Sequence, residues 1–232
     1  EIQLKKKEGI IIIIIMKKIN LTLIIAIITI VNVNAQTTFG VKAGVNFSSL
    51  TLSDSYYEDF KARTSMHFGA VAEIQISDKF SFQPELLYSS QGAKNEYLED
   101  EDGYSEKFVY KLNYLTVPLM AKYYVAEGFS LEAGPQIAFL LSAKDDYTWQ
   151  DDVWEEGDSG SDDIKEYFKN VDFGLNFGVG YKLDSGLNFG ARYYLGLSNI
   201  EDEEDYDDEG ADYDSDYWIK NNVFQISVGY TF

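Results

Sequence analysis

Carboxylates are the groups most available for chemistry in this sequence. Asp212, Asp214 and Asp216 alternate with other residues inside an acidic, tyrosine-containing run at 201–216. Hard cations such as Ca²⁺ take six to eight oxygen ligands, so these three side chains are candidate ligands for a metal site. The run lacks the Asp-x-Asp-x-Asp-Gly loop with Glu at its twelfth position that marks an EF-hand. The alternative is a solvated acidic surface, joined to anionic lipopolysaccharide through divalent cations.

His67 is the only histidine and therefore the only candidate imidazole base. Nucleophilic catalysis needs a base beside a nucleophile, and Ser65 or Ser48 would be its partner. No further residue marks a triad, and one histidine gives no cluster of zinc ligands. The G-x-G at 178–180 lies within a strand pattern rather than at a helix N-terminus. The sequence predicts no enzyme and no cofactor, and it leaves a membrane-embedded lipid-modifying enzyme open as an alternative.

The charge balance limits the possible partners. The chain has 39 acidic and 19 basic residues, a formal net charge of −20, and no cysteine. Nucleic-acid binding needs clustered Lys and Arg, so the composition predicts no nucleic-acid partner. Trp and Tyr are interleaved with acid at 145–163 and 201–216, which suits recognition of sugars or cationic groups as well as simple packing within loops.

The sequence pattern predicts β-strands as the main secondary structure of this chain. Eight segments alternate between apolar and small or polar residues, the pattern of β-strands. They are 39–47, 66–76, 80–90, 110–124, 129–142, 171–183, 187–198 and 222–232. Connections after the second, fourth and sixth segments are short, and the others are long and acidic. This asymmetry predicts an all-β fold, an eight-stranded antiparallel transmembrane β-barrel with short periplasmic turns, long acidic extracellular loops and both termini periplasmic.

The non-apolar faces of these segments carry both signs of charge. They comprise Lys42, Lys122, Lys182 and Arg192 with Glu73, Glu85, Glu132 and Asp172. An eight-stranded barrel has an interior just wide enough for side chains, and unpaired buried charge is costly. We therefore expect an interior charge network that plugs the barrel. A small-solute channel is one alternative, and a soluble lipocalin-like barrel with an apolar interior is another.

Both ends of the chain carry targeting signals. Residues 1–15 are interpreted as a mistranslated upstream extension. Met16, two lysines, an apolar stretch and Val33-Asn34-Ala35 predict a signal peptide at 16–35, cleaved near Ala35-Gln36. The barrel domain then occupies 36–232. The last strand resembles the signal read by barrel-insertion machinery, through Val228, Tyr230 and Phe232.

Several segments resemble the PorT-like outer-membrane β-barrel domain of the Bacteroidetes lineage. They are FGVKAGVNFSSL (39–50), LNYLTVPLMAKYY (112–124), LEAGPQIAFLLSAK (131–144), DFGLNFGVGYKL (172–183) and ARYYLGLSNI (191–200). The resemblance implies an eight-stranded outer-membrane barrel, and most members have no assigned activity. We therefore expect a non-enzymatic protein with a structural or surface-interaction role. Its partners would be outer-membrane lipid and lipopolysaccharide, the insertion machinery, and possible divalent cations at the acidic loops.

Overall fold

The computed structural model describes residues 37–53, 60–99, 103–151, 154, 156–202 and 218–232. Within them lie nine strands and one short 3-10 helix at Lys165–Tyr167. The strands are β1 (Thr37–Leu52), β2 (Lys61–Ser77), β3 (Phe80–Glu99), β4 (Tyr104–Ala126), β5 (Phe129–Asp151), β6 (Glu156–Asp163), β7 (Val171–Lys182), β8 (Leu187–Gly196) and β9 (Ile219–Thr231). Among the described residues, no helix is long and apolar enough to cross a membrane.

Eight of the strands close into a ring. The hydrogen-bonded order runs β4-β3-β2-β1-β9-β8-β7-β5, and β4 also pairs with β5, which completes the circle. β1 and β9 are antiparallel along their length, from Gly40 opposite Thr231 to Leu52 opposite Ile219. The prediction of an eight-stranded antiparallel barrel is confirmed. Closure leaves these eight strands without a free edge, so their ladder groups are paired within the sheet.

The barrel is apolar outside and polar inside. On β9, Phe224, Ile226 and Val228 are between 42% and 51% exposed, whereas the alternating Gln225 and Ser227 are buried. The other ring strands repeat this pattern, and together their outward side chains form a continuous apolar belt. Soluble proteins arrange polarity the other way round, whereas a barrel surrounded by lipid has this arrangement. The alternative of a soluble barrel with an apolar interior is therefore wrong.

The two ends of the barrel differ. Short turns join β2 to β3, β4 to β5 and β7 to β8, and we call this the short-turn end. Gly128 and Gly186 lie in two of these turns with φ of +74° and +89°, a region that glycine occupies without steric cost. The opposite end carries the connections from β1 to β2, β3 to β4, β5 to β7 and β8 to β9, and we call it the long-loop end.

At the long-loop end, β3, β4 and β5 continue past the apolar belt. We predicted that these strands end near residues 90, 110 and 142, but they reach Glu99, Tyr104 and Asp151. β6 then pairs with β5 through 144–151, while β7 pairs with the lower half of β5 through 129–139. Much of the predicted acidic loop sequence at 91–107 and 143–163 is therefore a four-stranded β-structure. We call residues 92–99, 104–111, 144–151 and 156–163 the strand extension.

Candidate functional site

Seven of the eight ring strands each contribute one charged side chain to a single interior cluster, which we call the charge network. Its members are Lys42, Glu73, Glu85, Lys122, Glu132, Lys182 and Arg192. Inward positions recur every second residue of a strand, so each of these strands presents its charged side chain to the lumen. Four cations face three carboxylates, which gives the network a formal charge of +1.

Glu85 is the centre of the network. Its carboxylate accepts two hydrogen bonds from the Arg192 guanidinium at 2.9 and 3.0 Å. Lys42 Nζ lies 3.2 Å from both carboxylate oxygens, and Gln83 donates at 2.7 Å. The Glu85 side chain is fully buried. Each of its oxygens is therefore satisfied by charged donors, the condition under which a buried carboxylate is tolerable.

Lys122 links the other two carboxylates. Its Nζ lies 3.6 Å from Glu73 and 3.5 Å from Glu132. Glu73 also accepts from Lys182 at 3.1 Å and from the hydroxyl groups of Ser81 and Tyr124. Glu132 accepts from Arg192 at 3.0 Å, which joins this half to Glu85. The network thus crosses the lumen as one connected structure.

Little space remains around these charges. The cavity bounded by Lys42, Glu73, Lys122, Glu132 and Lys182 has a volume of about 30 Å³. A cavity of this size has room for no more than a few water molecules. The wider recess of about 780 Å³ at the short-turn end is open to solvent, and Lys182 is the member of the network that lines it.

Asp172 does not join the charge network. It is fully buried inside the barrel, but of the ion pairs that the structure describes, none includes it. One carboxylate oxygen accepts from the Ser198 hydroxyl at 2.7 Å, and the other has no hydrogen-bond partner within the described residues. Asp172 begins β7 at the long-loop end, whereas Lys182 ends the same strand at the short-turn end. We expected all eight charged residues to form one network, and for Asp172 this prediction is wrong.

A neutral polar layer lies above the charges. His67 is buried, and its Nδ1 lies 2.7 Å from the Asn46 side-chain oxygen. Ser65 donates to the Ser90 carbonyl at 2.6 Å, and Ser48 to the Arg63 carbonyl at 3.4 Å. Neither serine is bonded to the histidine. The arrangement gives His67 a packing and hydrogen-bonding role, and it does not form the base–nucleophile pair that an enzyme would need.

An apolar cluster closes the long-loop end of the lumen, and sequence reasoning missed it. The cluster is made of buried side chains from four strands and two connecting segments. Its members are Leu50, Ala93, Leu112, Tyr114, Ala138, Leu140, Ala143, Phe168 and Ile200 with Phe60, Ile164 and Ile219 packed against them. Several lie at inward positions of strands whose other inward residues are polar. The sequence signal that could have revealed the cluster is an apolar residue at an inward position near the end of a strand.

The two faces of the strand extension differ in charge. Paired residues of neighbouring strands point to the same side of a sheet, so the register assigns each residue to a face. The face that continues the barrel interior, the inner face, carries six acidic and no basic side chains among the described residues. They are Glu106, Asp145, Asp151, Glu156, Asp158 and Asp162, interleaved with Tyr97, Tyr104, Phe108, Tyr110, Tyr147 and Trp149.

The opposite, outer face continues the lipid-facing side of the barrel. It carries five lysines and three acids by the same register. They are Lys61, Lys94, Lys107, Lys111 and Lys144 with Glu96, Asp146 and Asp163. Glu96 pairs with Lys61 at 3.0 Å and Lys107 at 3.6 Å, and Asp146 pairs with Lys111.

The pKa values of Asp145 on the inner face and Asp146 on the outer face are shifted in opposite directions. Partial burial raises the pKa of Asp145, and the nearby charges of Asp146 and Asp162 add to the increase. Hydrogen bonds from Lys111 and Ser161 lower the pKa of Asp146. Asp145 on the inner face therefore lies close to other carboxylates, whereas Asp146 on the outer face is paired with a lysine.

The remaining predicted site residues fall in two groups. Asp212, Asp214 and Asp216 lie outside the described residues. Within the part of the chain that the structure describes, no three His, Cys, Asp or Glu side chains are grouped closely enough to hold a metal ion. Val228, Tyr230 and Phe232 project outward, with Phe232 three-quarters exposed at the end of β9. Their role as an insertion signal stays a prediction.

Comparisons with known proteins found one matching family and several similar structures. The profile of the outer membrane protein beta-barrel domain matches residues 34–202, which is 169 of 232 residues. Ail of Yersinia pestis is 12% identical, covering 85% of this chain and 99% of that chain with a TM-score of 0.44. Neisserial surface protein A is 11% identical over 85% and 99% of the two chains, with a TM-score of 0.46. OprG of Pseudomonas aeruginosa is 13% identical over 85% and 97%, with a TM-score of 0.39. No curated protein sequence matches the chain.

Proposed function

The chain belongs to the outer membrane protein beta-barrel domain family, and we propose that it is a non-enzymatic surface-interaction protein. Its inner face would bind a cationic partner outside the cell. The observation that carries this proposal is the separation of charge across the strand extension, with six acids and six aromatic rings on one face. Membrane anchoring needs only the apolar belt, so the extension has a purpose of its own.

The chemistry of the inner face favours an organic cation. Aromatic rings attract guanidinium and ammonium groups through their π faces, and interspersed carboxylates add electrostatic attraction. The described carboxylates are not clustered for chelation, which favours a partner with several separate positive charges over a metal ion. A Lys- or Arg-rich peptide segment, or an amine-bearing glycan, meets these requirements.

The interior supports this function over a small-solute channel. The charge network crosses the lumen and leaves about 30 Å³ between its members. The apolar cluster closes the other end of the same lumen. An ion would have to cross an apolar constriction without its hydration shell, which is costly. For the lipid-modifying alternative, His67 is buried against Asn46 rather than bonded to a serine.

We also propose the topology and the lineage. The long-loop end would face outward and both termini would lie in the periplasm, after cleavage of residues 16–35 near Ala35-Gln36. The short turns at the opposite end support this orientation, because periplasmic turns are short in such barrels. The segment LNYLTVPLMAKYY at 112–124 supports a place in the PorT-like group of the Bacteroidetes. We keep residues 1–15 as a mistranslated extension in this proposal.

The test is a binding titration with a nona-arginine peptide. Purified barrel in phosphatidylcholine nanodiscs is titrated at low salt, with tryptophan fluorescence as the readout, since Trp149 lies on the inner face. The triple variant D145N/D158N/D162N removes three inner-face charges. We expect affinity to fall by about tenfold, because an exposed charge contact contributes a few tenths of a kcal/mol to about 1 kcal/mol.

The matched control removes the same charge from the other end. D78N/E127Q/D184N neutralises three acids around the short turns. This variant should bind the peptide like the wild type. Equal losses in the two triple variants would refute a specific inner face and indicate attraction to net charge alone. Single-channel currents of the wild-type protein in planar bilayers would instead favour the channel alternative.

A further inference from the structure

Four lysines form a row across the outer face of the strand extension. Lys61 on β2 lies directly opposite Lys94 on β3, and Lys111 on β4 lies directly opposite Lys144 on β5. Lys94 is opposite Val109, so Lys111 is its diagonal neighbour two positions along β4. We call Lys61, Lys94, Lys111 and Lys144 the lysine row. Strands are about 4.8 Å apart, so the row spans roughly 14 Å.

The row contains two directly opposed pairs of like charge. Like charges directly opposite each other destabilise a sheet, and sequences tend to break such rules where function requires it. One member of each pair is neutralised, Lys61 by Glu96 and Lys111 by Asp146. Of the ion pairs described, none includes Lys94 or Lys144. Lys144 lies directly opposite Asp163 on β6, whereas Lys94 has no carboxylate directly opposite it. The outer face still carries five lysines against three acids on a protein of net charge −20.

The row stands directly beyond the apolar belt. Leu115 on β4 and Leu141 on β5 are outward residues of the belt. Lys111 lies four residues before Leu115 in the chain, and Lys144 lies three residues after Leu141. At about 3.3 Å per residue along a tilted strand, the ammonium groups lie within roughly 10 Å of the hydrocarbon edge. Lipid headgroups occupy this height in a bilayer.

We propose that the lysine row binds the phosphate groups of a phosphorylated glycolipid in the outer leaflet. The acyl chains of the lipid cover the belt below, around Leu115, Leu141 and Tyr88, and Lys94 and Lys144 contact its phosphates. A soluble anion or an acidic protein would match the charge but not the continuous apolar surface beneath it. This assignment rests on the proposed orientation, and it concerns the face opposite the one assigned to the cationic partner.

The contact has a structural effect on the extension. A bound phosphate neutralises the opposed lysines and holds the outer face toward the membrane surface. The inner face then points away from the lipid, where a partner from solution can reach it. The two faces would therefore bind groups of opposite charge, lipid phosphate on one side and cations on the other.

The experiment is native mass spectrometry of the full-length mature barrel in detergent, titrated with bisphosphorylated lipid A. Each membrane-proximal lysine contributes about fivefold to the affinity for an anionic lipid, so K94Q/K144Q should bind about thirtyfold more weakly. Fully dephosphorylated lipid A should bind the wild type about as weakly as the phosphorylated lipid binds the variant. The charge-preserving K94R/K144R should retain binding.

The matched control is K79Q/K165Q, which removes two lysines outside the row and should bind like the wild type. If K94Q/K144Q does not refold, the single variants K94Q and K144Q, each expected to lose about fivefold, replace it. Unchanged binding in the variants, equal loss in the control, or equal binding of dephosphorylated lipid would each overturn the proposal. Displacement of the lipid by millimolar inorganic phosphate would identify a free-phosphate site instead. Because detergent has no sidedness, the titration does not depend on the orientation or on the arginine-peptide result.

Discussion

Substitution of Glu85 by glutamine tests the charge network most directly. The change keeps the shape and hydrogen-bonding capacity of the side chain and removes one of three carboxylates. The network then holds four cations and two carboxylates, and its formal charge rises from +1 to +2. Lys42 and Arg192 lose the carboxylate that lies within 3.2 Å of both. We expect E85Q to be the most destabilising single substitution in the network.

The expected loss of folding stability in E85Q follows from the distances between the charges and from their burial. At an effective dielectric constant of about 20, two unit charges 3.2 Å apart attract each other by about 5 kcal/mol. Glu85 makes two such contacts, but neutralising it also removes the several kcal/mol that its own desolvation costs. Breaking a buried ion pair by removing one partner costs about 3–5 kcal/mol net. R192M should cost less than E85Q, because it leaves three cations facing three carboxylates.

A double-mutant cycle with Lys42 separates charge from packing. K42M/E85Q has three cations and two carboxylates, which restores the formal charge of +1. We expect this double variant to be at least about 1 kcal/mol more stable than E85Q alone, although it carries one more substitution. E127Q, at the exposed turn between β4 and β5, is the control for the loss of a carboxylate and should change stability by less than about 0.5 kcal/mol.

The assay is urea unfolding of the refolded barrel in phosphatidylcholine vesicles. Folded and unfolded fractions are separated by gel mobility without boiling and checked by tryptophan fluorescence. The reasoning is refuted if E85Q costs less than about 1 kcal/mol, if R192M costs more than E85Q, or if K42M/E85Q is less stable than E85Q. The last outcome would mean that hydrogen bonding and packing, rather than charge balance, hold the network together.

Three further predictions concern other parts of the molecule. In Gly44→Ala, the new Cβ would clash with the Ile226 carbonyl oxygen and lie 2.6 Å from His67 Cε1, so we expect a loss of about 1–3 kcal/mol in urea unfolding. Gly157→Ala, where the nearest atom is 3.0 Å away, should cost less, and equal costs would contradict the crowding argument. The raised pKa of Asp145 means that its contribution to stability is present at low pH and lost as pH rises through that pKa. The stability of D145N relative to the wild type should therefore increase between pH 3 and pH 7, and a flat difference would contradict the pKa shift. Deletion of Phe232 should lower the heat-modifiable outer-membrane fraction several-fold, while F189A, which removes an outward Phe from β8, should not. Normal assembly without Phe232 would exclude it from an insertion signal.

Period-two alternation was sufficient to predict the barrel. Each ring strand exposes large apolar side chains at every second residue, and a residue cannot change face without a shift in register. The same parity predicted which side chains enter the lumen. Arg192 and Glu85 are 107 residues apart in sequence, and parity alone placed both inside. Parity does not predict how far along the barrel axis a side chain lies, and this position is what separates Asp172 from the charge network.

The strand extension could not be predicted from hydrophobic alternation. Above the membrane both faces of a sheet meet water, so no apolar face marks the strands. The pairing of Thr148 with Lys107 and Ser159 depends on hydrogen bonds between strands rather than on burial. The apolar cluster was missed for a related reason. Leu50 lies inward at the end of an otherwise polar inward row, and Ile200 comes from a connection with no alternation.

The joint between β1 and β9 has a kinetic consequence. Val45 and Ile226, for example, become neighbours only when segments about 180 positions apart in the chain meet. Contacts with so large a sequence separation form slowly. Every other pairing in the ring joins segments closer in sequence, so this joint should close last. Until it does, the chain is an open sheet with two free edges that can pair with other chains. The interval between synthesis and closure is thus the period in which this protein is most exposed to aggregation. Mutations that slow the pairing of β9 would appear as aggregation rather than as lowered stability of the finished barrel.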